Sequence, residues 1–433
     1  MSLPRYPEYR DSGVEWLGEV PSHWNVCRLG YFFEERREKV SDKDFLPLSV
    51  TKHGIVPQLE TAAKTDDGDN RKKVVAGDFV INSRSDRKGS SGAATQDGSV
   101  SLINTVLRPI EGIDIAFAHH LFRSVRFQEE FYRYGKGIVA DLWSTNFSEM
   151  RNIVLAVPET TEQECIAAFL DRETAKIDAL IAEQEKLIAL LAEKRQATIS
   201  HAVTRGLNPD APMKDSGVPW LGEVPAHWGV SALSYLASIE TGSTPDRAEP
   251  RYWNGSIPWL KTGEINWAPI RDAEEFITEA GLANSAAKIA GPGTLLMAMY
   301  GQGVTRGRVA LLEIEATYNQ ACAAIRFGPR LASEFGRYFF MAAYDHVRDA
   351  GNETSQMNLS AGLIAKIRLP VPPVDEQLPI VRLLDSETAK LDVLQAEAER
   401  AIALLKERRS ALIAAAVTGQ IDVRGAVPTC EEA

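Results

Sequence analysis

The sequence predicts an α+β protein in which two mixed α/β domains are separated by two long antiparallel coiled-coil helices, in a circular arrangement about a pseudo-twofold axis. Two duplications and one periodicity predict it. Residues 11–26 (DSGVEWLGEVPSHWNV) return as residues 215–230 (DSGVPWLGEVPAHWGV), and thirteen of the sixteen positions match, Trp16/Trp220 and Trp24/Trp228 among them. Residues 169–178 (FLDRETAKID) return as 383–392 (LLDSETAKLD), and both copies continue through IALL into AVT. The order is therefore A–variable–B twice over, and repeats of this kind set the architecture. Within the B segments apolar residues recur at a helical period.

The first B segment opens after Pro158, with Thr161 as candidate cap and Glu164 closing a capping box. Its apolar stripe runs through Ile166, Phe169, Leu170, Ile177, Leu180, Ile181, Leu187, Ile188 and Leu191, a period between 3.5 and 3.6. The second copy carries Ile380, Leu383, Leu384, Leu391, Leu394, Ile402, Leu405 and Leu412. Gly206 and Gly419 mark the expected stops. A helix of about 40 residues spans roughly 60 Å at 1.5 Å per residue. A stripe that long needs a partner helix, and the other copy is the obvious one. Gln184 interrupts the seam, either to set register or as a solvated edge residue.

The variable regions read as mixed folds. Strands are expected at 79–81, 100–103 and 106–107, and at 295–300, 309–312 and 322–327; helices are expected at 116–134 and 331–348. A distant likeness joins the regions: GDFVI at 77–81 against GTLLM at 293–297, and Asn104 against Asn319.

Composition bounds the function. With 433 residues, 44% hydrophobic and 25% charged, the chain has the length and balance of two globular cores. No apolar run approaches the roughly 20 residues of a membrane span, and no secretory h-region follows Met1. The four cysteines (Cys27, Cys165, Cys322, Cys430) are scattered, which fits reduced cytoplasmic thiols. Net charge is −11, with most of the acid excess in the helical repeats and the tail. The basic residues of the variable regions cluster instead: Arg71, Lys72 and Lys73; Arg84, Arg87 and Lys88; Arg306 and Arg308.

These elements together, the DSGVxWLGEVPxHW entry, the PxTxEQ…ETAKID helix and its return as DEQ…ETAKLD with AVTGQI, resemble the specificity subunit of type I restriction–modification systems over nearly the whole chain. The resemblance implies target recognition domains at 1–158 and 209–372, a spacer helix at 159–208, and a second spacer helix with the tail at 373–433. Each recognition domain would read one half of a split, asymmetric site in double-stranded DNA. The spacer helices would dock two modification methyltransferase subunits, with restriction/translocase subunits joining that core in the cytoplasm. The subunit itself would be non-catalytic and need no cofactor. One departure is small: Pro379 stands where the first copy has Cys165, and a proline in the first turn is tolerable.

Sequence chemistry agrees with a non-catalytic role. A self-sufficient methyltransferase should carry an amide–Pro–Pro–aromatic motif, and neither NPPY nor DPPY occurs. The TGSTP stretch around Gly242 has one glycine and runs into Pro245. Pro245–Asp246 followed by Glu264 is a weak nuclease match, better read as ordinary loop charges. No GxxxxGK[ST] loop occurs, and the seven histidines lack metal-ligand spacing. His23 and His227 flank Trp24 and Trp228 equivalently, which favours a structural role.

DNA readout needs donors that reach base edges and positive charge against phosphate. The loop Asn82, Ser83, Arg84, Ser85, Arg87, Lys88, Ser91 offers both, and so does its counterpart Tyr300, Gln302, Thr305, Arg306, Arg308. Arg and Lys suit guanine edges, and Asn82 and Gln302 suit adenine. Arg71, Lys72 and Lys73 suit phosphate. The alternative is that all are solvated loops. Trp253, Trp259 and Trp267 are expected to pack rather than stack on bases. For the subunit interface the expected helix residues are Ile177, Ile181, Gln184, Ile188 and Leu191, with Leu391, Leu394, Ile402 and Leu405 on the second helix. The competing functions are a stand-alone DNA methyltransferase or nuclease, and a coiled-coil adaptor that binds only protein.

Overall fold

A computed structural model describes residues 3–59, 68–137, 143–301, 304–350 and 358–426. The chain forms two compact units, Met1–Glu185 with Arg400–Ala433, and Lys186–Glu399. Two long helices, Thr160–Arg205 of 46 residues and Val374–Val417 of 44, contribute a part to each unit.

In the first unit a four-stranded antiparallel sheet has the order Ser91–Ala93, Phe79–Asn82, Asn104–Pro109, Phe33–Glu35. Alternation along its strands assigns the two faces. Phe79, Ile81 and Leu107 enter the main core with Phe117, Phe122 and Phe127. Val80 and Val106 enter a smaller core with Leu48, Val74 and Val100. Both faces are covered, so the strands read as continuous apolar runs.

The second unit repeats the plan. Its sheet has the order Val309–Leu311, Leu295–Ala298, Cys322–Phe327, Ala237–Thr241. Leu295, Met297 and Ile325 face one core; Leu296, Ala298 and Ala324 face the other. The likeness of GDFVI to GTLLM thus marks the same strand in both domains. Asn104 and Asn319 are not equivalents: Asn104 pairs with Asn82, whereas Cys322 takes the matching position beside Ala298.

Several sequence expectations change. Residues 116–134 form two helices, Ile115–Arg123 and Val125–Arg133. Ser124 is extended between them, and its hydroxyl accepts from Phe127 N. A serine that caps a new helix breaks an uninterrupted apolar period. Residues 331–348 likewise divide into Ser333–Ala342 and Tyr344–Ala350. The expected strand at 100–103 is displaced to Gly98–Val100. The first long helix begins at Thr160, so Thr161 lies within it and does not cap it. The reduced-thiol expectation fails at Cys165, which is disulfide-bonded, whereas Cys27 and Cys322 are free. Pairing depends on which cysteines the fold brings together, and spacing along the chain does not show that.

Buried and half-buried positions along the first long helix follow alternating steps of three and four: Leu170, Thr174, Ile177, Ile181, Gln184, Ile188, Leu191, Arg195. The second helix repeats the stripe at Leu384, Thr388, Leu391, Gln395, Ala398, Ile402, Leu405, Arg409. Leu180, Leu187 and Leu394 lie off it and are exposed. Gln184 is half-buried on the stripe.

Candidate nucleic-acid interface

The A repeats position each domain on the helices. In the first unit the hairpin of Tyr9–Asp11 and Glu19–Pro21 leads into Asn25–Arg28, which pairs with Val154–Val157 just before the long helix. That pairing holds Trp24 and His23 over the helix start. Trp24 Nε1 donates to Glu162 Oε1 at 3.0 Å, Tyr6 OH donates to the same oxygen at 2.7 Å, and His23 Nε2 lies 2.8 Å from Oε2. Burial and the Glu162 carboxylate hold the Tyr6 hydroxyl protonated by raising its pKa. Gln163, fully buried, accepts from Asp114 N and donates to Gly112 O and Pro158 O.

The second unit reproduces this clamp. Trp228 Nε1 donates to Glu376 Oε2 at 3.0 Å, and His227 Nε2 lies 2.7 Å from Oε1. Gln377 accepts from Ala332 N and donates to Arg330 O and Pro372 O. Each tryptophan also meets the end of the other long helix. Gly419, at φ +70°, leaves no room for a Cβ, which would come within 2.3 Å of Pro21 and 3.2 Å of Trp24. At Gly206, φ +72°, a Cβ would come within 2.9 Å of Trp228.

Two ion pairs recur at the same offset. In the first unit Arg409 Nε lies 3.0 Å from Asp178, and in the second Arg195 Nη2 lies 2.5 Å from Asp392. Close to the chain ends, Asp422 N donates to Pro4 O at 2.8 Å.

The candidate reading loops connect equivalent strands of the two sheets. In the first unit the loop leaves the strand Phe79–Asn82 and returns as Ser91–Ala93, with Ser91 paired to Ile81. Its buried polar residues shape it: Asn82 Oδ1 accepts from Arg84 N, the Ser83 hydroxyl lies 3.0 Å from that of Thr105, and Ser83 O accepts from Thr145 N. Ser91 is also buried, and Ser85 belongs to the one-turn helix Ser85–Arg87. Arg84, Arg87 and Lys88 are exposed. Arg87 Nε lies 3.8 Å from Asp86, and Lys88 Nζ lies over the Tyr132 ring.

In the second unit the loop leaves Leu295–Ala298 and returns as Val309–Leu311. Tyr300 is exposed, Thr305 and Arg308 are half-buried, and Arg306 is buried. Arg308 N donates to Thr305 O, which tightens the return. Gln302 lies outside the described residues.

The cluster Arg71, Lys72, Lys73 sits on the strand Arg71–Val74 and is engaged within its domain. Arg71 is buried and donates to Ser99 Oγ and O. Lys72 Nζ lies 3.1 Å from Glu35 and 2.8 Å from Asn104 O; Lys73 Nζ lies 2.9 Å from Glu38. Trp253 and Trp259 pack edge to face at 5.1 Å with the Arg247 guanidinium 3.8 Å from the Trp253 ring centroid. Trp267, at φ +78°, packs edge to face with Tyr344 at 5.0 Å. Glu264, part of the weak nuclease match, accepts from Lys261 N and Glu274 N. Among the described residues no group of three or more His, Cys, Asp or Glu could hold a metal ion, and no helix is long and apolar enough to cross a membrane.

Of the expected helix-interface residues, Ile177, Leu191 and Leu391 are buried, Ile181, Gln184, Ile188, Ile402 and Leu405 are half-buried, and Leu394 is exposed. Sequence reasoning missed the carboxylates Glu162 and Glu376 as partners of the tryptophans. The signal was present, since Glu-Gln recurs eleven residues before ETAK in both copies, at 162–163 and 376–377.

Comparison with known proteins agrees with this architecture. The family model for the type I restriction modification DNA specificity domain matches residues 225–401. The chain is 21% identical over 422 residues to the type I restriction enzyme MjaVIII specificity subunit of Methanocaldococcus jannaschii, covering 94% of each. It is 23% identical over 254 residues to the EcoR124I/EcoR124II specificity subunit of Escherichia coli, covering 56% of this chain and 57% of that one. With the MjaIX specificity subunit of M. jannaschii the identity is 25% over 169 residues, and the match spans 38% of each chain. Among solved structures, the fold resembles a chain from work on complex assembly and conformational transition of the type I R-M system, with a TM-score of 0.69 and 16% identity over 92% of this chain and 98% of that one. It also resembles the HsdS subunit from Thermoanaerobacter tengcongensis, with a TM-score of 0.55 and 17% identity over 93% and 98%. The doubled clamp, the paired sheets and these matches agree: residues 225–401 carry the type I restriction modification DNA specificity domain, and the chain is similar along nearly its whole length to a type I restriction enzyme specificity subunit.

Proposed function

We propose that this chain is a specificity subunit that reads a bipartite, asymmetric site in double-stranded DNA, one half with each domain. The domains would follow the boundaries 1–158 and 209–372, with spacer helices at 159–208 and 373–433. The observation that carries the reading is a conserved clamp beside divergent loops. Trp24–Glu162 and Trp228–Glu376 repeat bond for bond, whereas SRSDRKGSSG and YGQGVTRGR share little. A scaffold kept constant with changed donors at equivalent places suits one task performed on two different base sequences.

The two long helices pack antiparallel as a coiled coil in this reading, and the molecule is circular about a pseudo-twofold axis. The recurrent pairs Arg409–Asp178 and Arg195–Asp392, and the meeting of Pro4 with Asp422, support it. Twofold symmetry then imposes inverted half-sites on the duplex.

The helices dock two modification methyltransferase subunits, with restriction/translocase subunits joining the complex in the cytoplasm. The chain itself is non-catalytic and uses no cofactor. Arg84, Arg87, Lys88, Arg306 and Arg308 are the assigned DNA contacts. Asn82, Ser83 and Ser91 shape the first loop, and Tyr300 and Thr305 flank the arginines of the second. Methylation mapping with the methyltransferase partner tests this: two short specified sequences at a fixed gap support it, and one continuous target or none refutes it.

A further inference from the structure

The first unit contains a cavity of about 400 Å³ whose lining includes Lys52, Lys88, His119, Arg123 and Arg409. Among the described residues no carboxylate lines it. Among the described residues Lys52, Lys88 and Arg123 make no ion pair, and Arg409 pairs with Asp178. Arg123 lies 2.9 Å from His119 Nε2 and donates to Lys52 O, while its buried Nε has no acceptor. His119 is pushed down to about 4, first by burial and then by Arg123 and His120. A histidine so held neutral leaves the cavity walls to cations.

The equivalent place in the second unit has a different chemistry. There Arg195 and Ile199 stand where Arg409 and Ile413 stand in the first, and the cavity of about 340 Å³ is lined with Trp267, Met341, Tyr344 and Leu391. A shared scaffold position has thus diverged into one basic cavity and one apolar cavity. A cavity walled by guanidinium and ammonium groups calls for an anion, and phosphate is the anion those groups bind by charge-assisted hydrogen bonds.

We infer that this cavity seats a phosphate of the DNA backbone flanking the half-site read by the first domain. The assignment rests on the proposed DNA-reading function. Lys88 ties the two together, because it belongs both to the reading loop and to the cavity wall. The seat makes the two halves of the complex unequal, with the first domain adding sequence-independent grip that the second lacks. It also replaces the cluster Arg71–Lys73 as the main phosphate contact of this domain, since those side chains are bonded internally.

The test uses the full chain with its methyltransferase partner on the mapped target duplex. Lys52→Gln and Lys88→Gln change exposed lysines and leave the core intact. Each is expected to reduce the slope of log K against log salt by about 0.9 in magnitude. A neutral methylphosphonate, moved one position at a time along each strand, should weaken wild-type binding at a position flanking the first half-site. The double variant should be indifferent at that same position. Wild-type binding with an unchanged slope in the variants, or with no such position, overturns the phosphate seat and leaves the DNA-reading function standing. Saturable uptake of inorganic phosphate by calorimetry, without a methylphosphonate-sensitive position, assigns the cavity to a free anion and also overturns it. Failure of the wild type to bind target DNA overturns both.

Discussion

The Trp24 indole donates to Glu162 Oε1 at 3.0 Å, tying the first repeat to the first turn of the long helix. Glu162 is buried and accepts from Tyr6 as well. A buried carboxylate that loses one donor keeps its desolvation cost and less of its compensation. Trp24→Phe should therefore destabilise the protein by about 1–3 kcal/mol. Trp228→Phe should cost less, because Glu376 is 38% exposed and water can replace the indole. Urea denaturation of the two variants, compared by midpoint at equal slope, checks the order.

Arg84→Ala and Arg87→Ala should weaken binding to the specific duplex by ~1–3 kcal/mol where the guanidinium grips a base edge, with little change in thermal stability. Both side chains are exposed, so no core contact is lost. Arg306→Ala should lower affinity through the second half-site and also lower stability, because Arg306 is buried. Fluorescence anisotropy on specific and random duplexes, beside melting curves, separates the effects. Equal losses on both duplexes would make the arginines phosphate contacts.

His119 gives the first unit a defined acid response. Its folded pKa of about 4 lies below the ordinary 6.5 because burial, then Arg123 and His120, disfavour the imidazolium. Above about pH 6.5 the ring is neutral in both folded and unfolded chains and contributes no pH dependence. As pH falls from about 6.5 to 4 the unfolded chain takes up a proton that the folded one refuses, and stability drops by up to about 3 kcal/mol. His119→Gln should flatten that part of the stability–pH profile. A profile with the same slope in the variant would place the proton elsewhere.

The repeats made the architecture legible, because a near-verbatim duplication needs no tertiary information. The helices followed from periodicity, and their stops from Gly206 and Gly419. Other features depended on contacts between distant residues. Ser124 divides a helix because its hydroxyl finds Phe127 N, and a polar residue inside an apolar period gives no warning of that. Leu180, Leu187 and Leu394 fitted a broad apolar stripe but are exposed, since the buried seam takes steps of three and four and is narrower. The basic run at 71–73 resembled a surface patch until its partners Ser99, Glu35 and Glu38 were in place. Meanwhile Lys52, Arg123 and Arg409 lie far apart in the chain and meet only in the fold.

Helix length should set the gap between half-sites. Inserting ETAK after Lys176 adds about one turn, ~6 Å of rise. At ~3.4 Å per base pair the preferred gap should grow by roughly one or two base pairs. The seam shifts by about half a residue, which a long coiled coil absorbs by local unwinding. The half-site sequences should remain the same, because no reading loop is touched. An unchanged gap with normal activity would assign the spacing to another contact.

The central claim is that each domain reads its own half of the target. Its most direct measurement is a methylation map made by a chimera in which residues 27–157 come from a relative with a different target, together with the methyltransferase partner. The clamp residues Trp24, Glu162, Trp228 and Glu376 all lie outside the exchanged segment, so the scaffold is preserved. The account predicts that one half-site changes to the donor's sequence while the other half-site and the gap stay as they were. A change in both half-sites, or in neither, would contradict it.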